Sequence, residues 1–331
     1  MDLTSIPHFE FEMPPPMKPT AAEAKAMLLV LGEIDPACTN FHLIIENAYG
    51  TVYRVHHKVL NRTLALKIVR TVQDAEGNAT NTYTSEIGGG PKDFSILQAF
   101  KHPHILEIVS IFRGGTFRST SIFTEYMAGG TLLDRLQNEY DKQRGAGPVR
   151  GLSEIRCRDI FYQLCQAMSY IHSQRIVHRN LKLENIFLTD DNFPLVKVAG
   201  FGLATRLPDD GQGFLSELRG SLDYMSPEML RQPPPGYDCR TDSWSAAVIL
   251  IEMLLLENAY VVGRIFPETE TPAFRWDDLR ESARLSENGF DILQKLLNPD
   301  PNLRSTLADA LQHQWLVYHR PMYPNILYPQ V

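Results

Sequence analysis

β-branched and aromatic side chains crowd three short stretches, 41–45, 51–59 and 64–69, separated by the turn-forming runs 47–50 and 60–63. This pattern predicts three consecutive antiparallel strands. Two further strands fit 107–112 and 121–126. Gly88, Gly89 and Gly90 followed by Pro91 would break a helix interior but suit a helix start, and Phe94, Leu97 and Phe100 then recur at helical spacing, so a short helix is predicted from Pro91. After Gly129 and Gly130 the apolar period changes to that of helices, over 132–140, 155–173, 241–256, 290–297 and 307–315. The pattern describes an α+β protein: a small antiparallel β-rich lobe with one helix, then a larger, mostly α-helical lobe. The Gly-, Arg- and Lys-rich stretch 141–151 and the proline run 233–236 read as surface loops, and no internal repeat is visible.

At the N-terminus, prolines at 14, 15, 16 and 19 remove four backbone donors and favour extended geometry, ahead of a weak helical stretch at 21–31. Residues 1–40 are expected to form a partly disordered extension, its prolines a spacer or a ligand for proline-reading modules.

Composition narrows the partners. The chain has 331 residues, 44% of them hydrophobic, which supports sizeable cores. Its formal net charge of −7 argues against a nucleic-acid partner, because tracking phosphates needs a basic surface. Cys38, Cys157, Cys165 and Cys239 form no C-x-x-C signature and read as reduced thiols. No basic segment leads into an apolar stretch near the start, and the most apolar run, 246–256, is short and contains Glu252. The expectation is a cytoplasmic or nuclear protein with no membrane partner.

The candidate chemistry lies in an ordered set of short motifs. Lys67 ends Leu64-Ala65-Leu66-Lys67 in the third strand. His178-Arg179-Asn180-Leu181-Lys182-Leu183-Glu184-Asn185 follows, then Ala199-Gly200-Phe201-Gly202 and Ser226-Pro227-Glu228. His102-Pro103-His104-Ile105, Asp242-Ser243-Trp244 and Asp300-Pro301-Asn302-Leu303-Arg304 are further landmarks. Any one of these could arise by chance, but their order and context over 41–318 resemble the protein kinase superfamily. Lys182 and Ser221 are typical of its serine/threonine type, and Ala310-Leu311-Gln312-His313-Gln314-Trp315-Leu316 resembles the calcium/calmodulin-dependent branch.

The resemblance implies a kinase-like domain over 41–318, with an N-lobe at about 41–127, a C-lobe at about 128–318 and a tail at 319–331. For nucleotide binding it implies a flap at Ile45, Asn47 and Gly50. Pocket walls and hinge correspond to Val52, Ala65, Thr124, Glu125, Tyr126, Met127 and Phe187. Lys67 would contact phosphate and pair with Asp93, one methylene shorter than the family's Glu. Glu86 competes for Lys67, at the cost of carrying Gly88–Gly90 inside a helix. His178, Phe201, Leu97 and Asp242 match the packing column of the fold, His178 and Arg179 order the loop, and Glu228 with Arg304 matches a buried ion pair.

The chemical residues depart from the family. Phosphoryl transfer is positioning and charge neutralisation, and it needs a catalytic Asp and a metal-holding Asp and Asn. Asn180 stands at the catalytic position, where an amide can hydrogen-bond a hydroxyl but cannot take its proton. Lys182 remains beside it. Gly200 stands at the metal-binding Asp, leaving Asn185 as the one protein metal ligand of the pair. Glycine survives in the flap at Gly50 but not at Ile45 or Asn47, so the phosphates lose part of their cradle. Glu184, Asp190 and Asp191 flank the loop without a reason to reach a phosphate. Loss of a general base alone costs about 10²- to 10⁴-fold, roughly 3 to 5 kcal/mol.

The leading expectation is therefore a catalytically impaired domain, a pseudokinase, that binds other proteins as scaffold or allosteric regulator, an active kinase or signalling complex among them. ATP still suits the pocket walls, while Mg2+ is held weakly or not at all. The alternatives are a slow serine/threonine kinase in which Asn180 orients the substrate hydroxyl, and a nucleotide-stabilised module that closes on ATP without transfer. Ser216 and Ser221 are either phosphorylation sites or plain loop hydroxyls.

Overall fold

The computed structural model describes residues 35–47, 50–69, 71–73, 79–81, 100–113, 120–145, 147–208, 214–231, 236–256, 265–266, 273–274 and 276–319. They fall into two compact units, one of the chain up to 82 with 109–126, the other of 83–108 with the chain from 127 on. The helix expected from Pro91, with Asp93 and Leu97, lies outside the described residues, as do Glu86 and most of the N-terminal extension and tail.

The first unit is a five-stranded sheet of β1 (Cys38–Asn47), β2 (Gly50–His57), β3 (Arg62–Val69), β4 (Ile108–Arg113) and β5 (Thr120–Glu125), in the order β1-β2-β3-β5-β4. The three predicted consecutive strands are antiparallel neighbours, and β5 continues the sheet beside β3. Alternation explains the packing: Tyr53 and Val55 on β2 and Leu64 and Leu66 on β3 turn inward with Cys38 and Phe123, while the residues between them face the other way. β1 starts earlier than the apolar run suggests, because Cys38 and Thr39 pair with His57 and His56. Its register shifts between Thr39 and His42 and again between Leu43 and Ile45.

The second unit is helical around one large core. α1 (Leu132–Gln143) opens on a reciprocal Thr131–Asp134 cap and runs into the stretch expected to be loop. α2 (Glu154–Ser173) and α4 (Arg240–Leu255) cross the core, α4 buried on every side around Trp244 and Val248. α3 (Pro227–Leu230), α5 (Trp276–Ala283), α6 (Glu287–Leu296) and α7 (Leu307–Gln312) complete it. The last helix ends before Trp315 because His313 leaves helical geometry, yet Trp315 and Leu316 stay buried. Two antiparallel pairs, β6 (Ile176–Val177) with β9 (Thr205–Arg206) and β7 (Ile186–Leu188) with β8 (Val196–Val198), frame the motif-bearing loops.

Two charge contacts tie this unit together. Arg304 donates to both carboxylate oxygens of Glu228, at 2.6 and 2.8 Å, with both residues buried, as the sequence leads one to expect. The Glu154 carboxylate at the start of α2 accepts from Ser286 Oγ at 2.5 Å, Trp315 Nε1 at 2.6 Å and Arg158 at 2.9 Å. Partial burial would raise its pKa, but these donors hold it below the usual carboxylate range.

Candidate functional site

The second unit gathers His178, Arg179, Asn180, Lys182, Asn185, Gly200 and Ser221 on loops tied to α4. Asp242, fully buried on the first turn of α4, is the anchor. Its Oδ2 accepts from the His178 backbone N–H at 2.8 Å, and its Oδ1 from that of Arg179 at 2.9 Å. His172 Nε2 lies 2.8 Å from Oδ2. Burial opposes ionisation of Asp242, but the His172 contact and the loop amides outweigh it and hold the carboxyl below its ordinary value.

The His178 ring is committed at both nitrogens. Nδ1 accepts from the Asn180 N–H at 3.2 Å, which leaves the proton on Nε2 to donate to Ala199 O at 2.9 Å. Complete burial lowers its pKa, consistent with a neutral ring. The ring packs against Phe201 in a tilted arrangement, centroids 4.7 Å apart. His178 therefore orders the loop, carrying the Asn180 backbone on one side and the strand before Gly200 on the other.

Asn180 Oδ1 accepts from Ser221 Oγ at 3.2 Å. Lys182, expected to work beside Asn180, has its Nζ 3.2 Å from Glu184 Oε1. Asn185 turns its amide inward, with Nδ2 donating to Asn180 O at 2.7 Å, while its backbone carbonyl accepts from Ala199 N at 2.8 Å. Gly200 has φ +81° and ψ 26°, and a Cβ there would overlap the Asn185 carboxamide far inside van der Waals contact. The space beside Gly200 is thus filled by Asn185. A magnesium ion wants near-octahedral oxygen ligation including carboxylate, and position 200 supplies no side-chain ligand while Asn185 offers one carboxamide oxygen. The donor set does not fit the ion.

Segment 214–221 is pinned to the same loop. Arg179 (φ +64°) is buried; its Nε donates to Leu203 O at 2.7 Å and Nη1 lies 3.6 Å from Glu217 Oε2. Tyr237 OH donates to Glu217 O at 2.5 Å, and Leu215 and Tyr237 exchange two backbone hydrogen bonds of 2.8 Å. A Cβ at Gly220 would overlap Arg179 O, so glycine allows this close approach. The arginine that a phosphorylated Ser216 or Ser221 would call on is already engaged by a carboxylate.

In the first unit, register places Ile45, Val52, Ala65, Lys67 and Thr124 on one face of the sheet. Ile45 lies opposite Val52, Val52 opposite Lys67, and Ala65 opposite Thr124. Glu125, opposite Leu64, takes the other face. Gly50 closes the β1–β2 hairpin opposite Asn47. In the second unit Met127 is buried, and Phe187 lies on β7, bridged to Thr131 and opposite Lys197. Asp93 lies outside the described residues.

One further cluster could suggest a metal: Asp35, Cys38 and His57 bring one ligand atom each within 4.8 Å of the others. His57 Nδ1, however, accepts from the Leu60 N–H at 3.2 Å, which leaves the proton on Nε2, 3.2 Å from Asp35 Oδ2. The arrangement is an imidazole–carboxylate hydrogen bond closing the start of β1 onto the end of β2.

Sequence reasoning missed Glu217, Tyr237 and His172 as partners of the loop. Their separation along the chain left no local signal: Glu217 and Tyr237 meet Arg179, and His172 meets Asp242, only through the fold. No helix among the described residues is long and apolar enough to cross a membrane.

Comparison with known proteins agrees with this architecture. The family model described as protein kinase domain matches residues 42–316. The chain is 30% identical over 308 residues to the serine/threonine-protein kinase Nek11 of Mus musculus, covering 91% of this chain and 43% of that protein. It is 32% identical over 282 residues to the serine/threonine-protein kinase ULK3 of Homo sapiens, covering 83% and 54%. With the Aurora kinase of Saccharomyces cerevisiae it shares 26% identity over 280 residues, covering 85% and 69%. The chain therefore spans less than two thirds of the length of Nek11 and ULK3. A β-sheet unit carrying Lys67 on one face, a helical unit that suspends the 178–185 loop from Asp242, and a family match across both lead to one conclusion: the chain belongs to the protein kinase domain family.

Proposed function

We propose that this chain is a protein kinase domain that has lost efficient phosphoryl transfer and works by binding other proteins, as scaffold or allosteric regulator. The observation that carries this reading is the Gly200–Asn185 relationship. Position 200 lacks a ligand, and the neighbouring carboxamide fills the space a side chain there would occupy. Asn180 adds to it: its amide oxygen accepts a hydroxyl hydrogen bond from Ser221 but cannot accept a proton at neutral pH.

The binding function draws support from what is retained. The Asp242 anchor, the His178 bridge and the Arg304–Glu228 pair keep the loops ordered without serving chemistry. Ile45, Val52, Ala65, Lys67 and Thr124 share a face suited to a purine nucleotide, so ATP as a stabilising ligand belongs to the proposal. Thermal denaturation with ATP, in magnesium and again in EDTA, tests it. A ligand bound to the folded state alone raises stability by about 2.7 kcal/mol at 100 times Kd. The account predicts the same shift with and without magnesium, lost in Lys67→Met; a shift that requires magnesium contradicts the metal part of it.

The Ser221–Asn180 hydrogen bond favours one second reading, a slow serine/threonine kinase in which Asn180 orients a substrate hydroxyl. That reading requires transfer that disappears in Lys67→Met and falls further in Asn180→Ala.

A further inference from the structure

β1 carries an irregularity near its start. Between Thr39 and His42 its register slips against β2, and Asn40 takes a left-handed conformation, φ +54°. Such a bulge bends a strand and re-aims its side chains, and bulges recur beside binding sites. Here it borders a shallow, open cavity of about 220 Å³ lined by Asn40, His42, Arg54, Val55, His56 and Thr63.

The lining is one-sided in its chemistry. His42 lies opposite Arg54, while His56 lies opposite Thr39 on one side and Thr63 on the other. Residues directly opposite share a face, so an arginine, two histidines and a threonine hydroxyl come together with the Asn40 carboxamide at the rim. Among the described residues, every lining side chain except that of Val55 can donate a hydrogen bond, and none is a carboxylate. Asp35, the carboxylate just before β1, pairs with His57, which alternation turns to the opposite face. Arg54 has its guanidinium carbon 5.9 Å from the Tyr126 ring centroid, a contact that orients the fork without consuming its donors. In a chain of net charge −7, this is a local concentration of hydrogen-bond donors around the Arg54 guanidinium.

We propose that this dish, centred on Arg54, His42 and His56, binds a phosphate monoester, with Arg54 supplying the bidentate contact and the imidazoles the flanking donors. The tetrahedral dianion uses more donors at once than a carboxylate does, which matches a site whose lining is built almost wholly of donor side chains. The site lies apart from the Lys67 end of the same sheet face and does not depend on the proposed loss of transfer.

The test uses the full chain and three probes: inorganic phosphate, a phosphoserine peptide and the same peptide unphosphorylated. Binding is read from the His42 and His56 imidazole resonances and by calorimetry. Inorganic phosphate and the phosphopeptide should both shift the two imidazoles, and the unphosphorylated peptide should not. Phosphopeptide binding tighter than inorganic phosphate identifies a protein-borne group as the source; equal binding identifies free phosphate. Arg54→Gln should weaken phosphate binding about tenfold and Arg54→Lys less, with unchanged melting temperature because Arg54 is exposed. Unmoved imidazoles at millimolar phosphate, or an Arg54→Gln protein that binds as the parent does, would overturn the proposal.

Discussion

Gly200 and Asn185 occupy one space: the carboxamide of Asn185 sits where a side chain on residue 200 would begin. The same carboxamide donates to Asn180 O at 2.7 Å, so the three residues form a single packed arrangement. Changing one of them disturbs the others.

Gly200→Asp, which supplies the carboxylate the family carries, is therefore expected to destabilise the protein without restoring metal binding. It introduces a non-glycine residue at φ +81° and displaces Asn185, a combination costing about 1 to 3 kcal/mol. Thermal and urea denaturation with and without magnesium checks this. A variant as stable as the parent that gains stability from magnesium would contradict it.

Asp242→Ala should be among the most damaging single substitutions in the second unit. It leaves the His178 and Arg179 amides without their acceptor in a buried setting and removes the partner of His172. Losses of about 3 to 5 kcal/mol follow from such a site. Urea unfolding measures it, and a cost under about 1 kcal/mol would show that the anchor is not needed.

Acid should weaken the second unit well before carboxylates protonate. Burial lowers the pKa of His178, of His102 to about 4 and of His104 to about 3, against an ordinary 6.5. The unfolded chain takes up these protons near pH 6.5 while the folded one refuses them. Stability is thus full above that pH and falls as pH drops, by up to ~1.4 kcal/mol per pH unit for each imidazole. Asp242 and Glu154, held low in the fold, add a second loss below about pH 4. The urea midpoint should already decline between pH 7 and 5; a flat midpoint there contradicts the assignment of neutral imidazoles.

Arg179→Ala should loosen segment 214–221, because Leu203, Tyr237 and Glu217 all meet the guanidinium. Limited proteolysis should cut near Arg219 faster than in the parent, with Glu217→Gln intermediate. Equal cutting rates would place the order of the segment in the Leu215–Tyr237 backbone pair instead.

Legibility in the sequence followed the range of the interactions. β2 and β3 were readable because alternation of Tyr53, Val55, Leu64 and Leu66 is a local pattern, and α4 because an apolar run of that length, too long for an ordinary strand, fits a helix buried on all sides. The two- and three-residue strands β6 to β9 were not, since they exist through long-range pairing and carry no period of their own. At the site, motif order pointed to Asn180, Asn185 and Gly200. The filling of the Gly200 space by Asn185, the diversion of Lys182 to Glu184 and the grip of Arg179 on Glu217 are side-chain geometries that no spacing rule encodes.

The central claim is that this kinase domain does not transfer phosphate efficiently, and the most direct test is a γ-phosphoryl-transfer assay of the purified chain with ATP, magnesium and a hydroxyl-bearing protein substrate, run beside Lys67→Met. The account predicts turnover far below the ~1 to 100 s⁻¹ of working kinases and no difference between the two proteins. Magnesium-dependent transfer within that range, abolished by Lys67→Met, would contradict it.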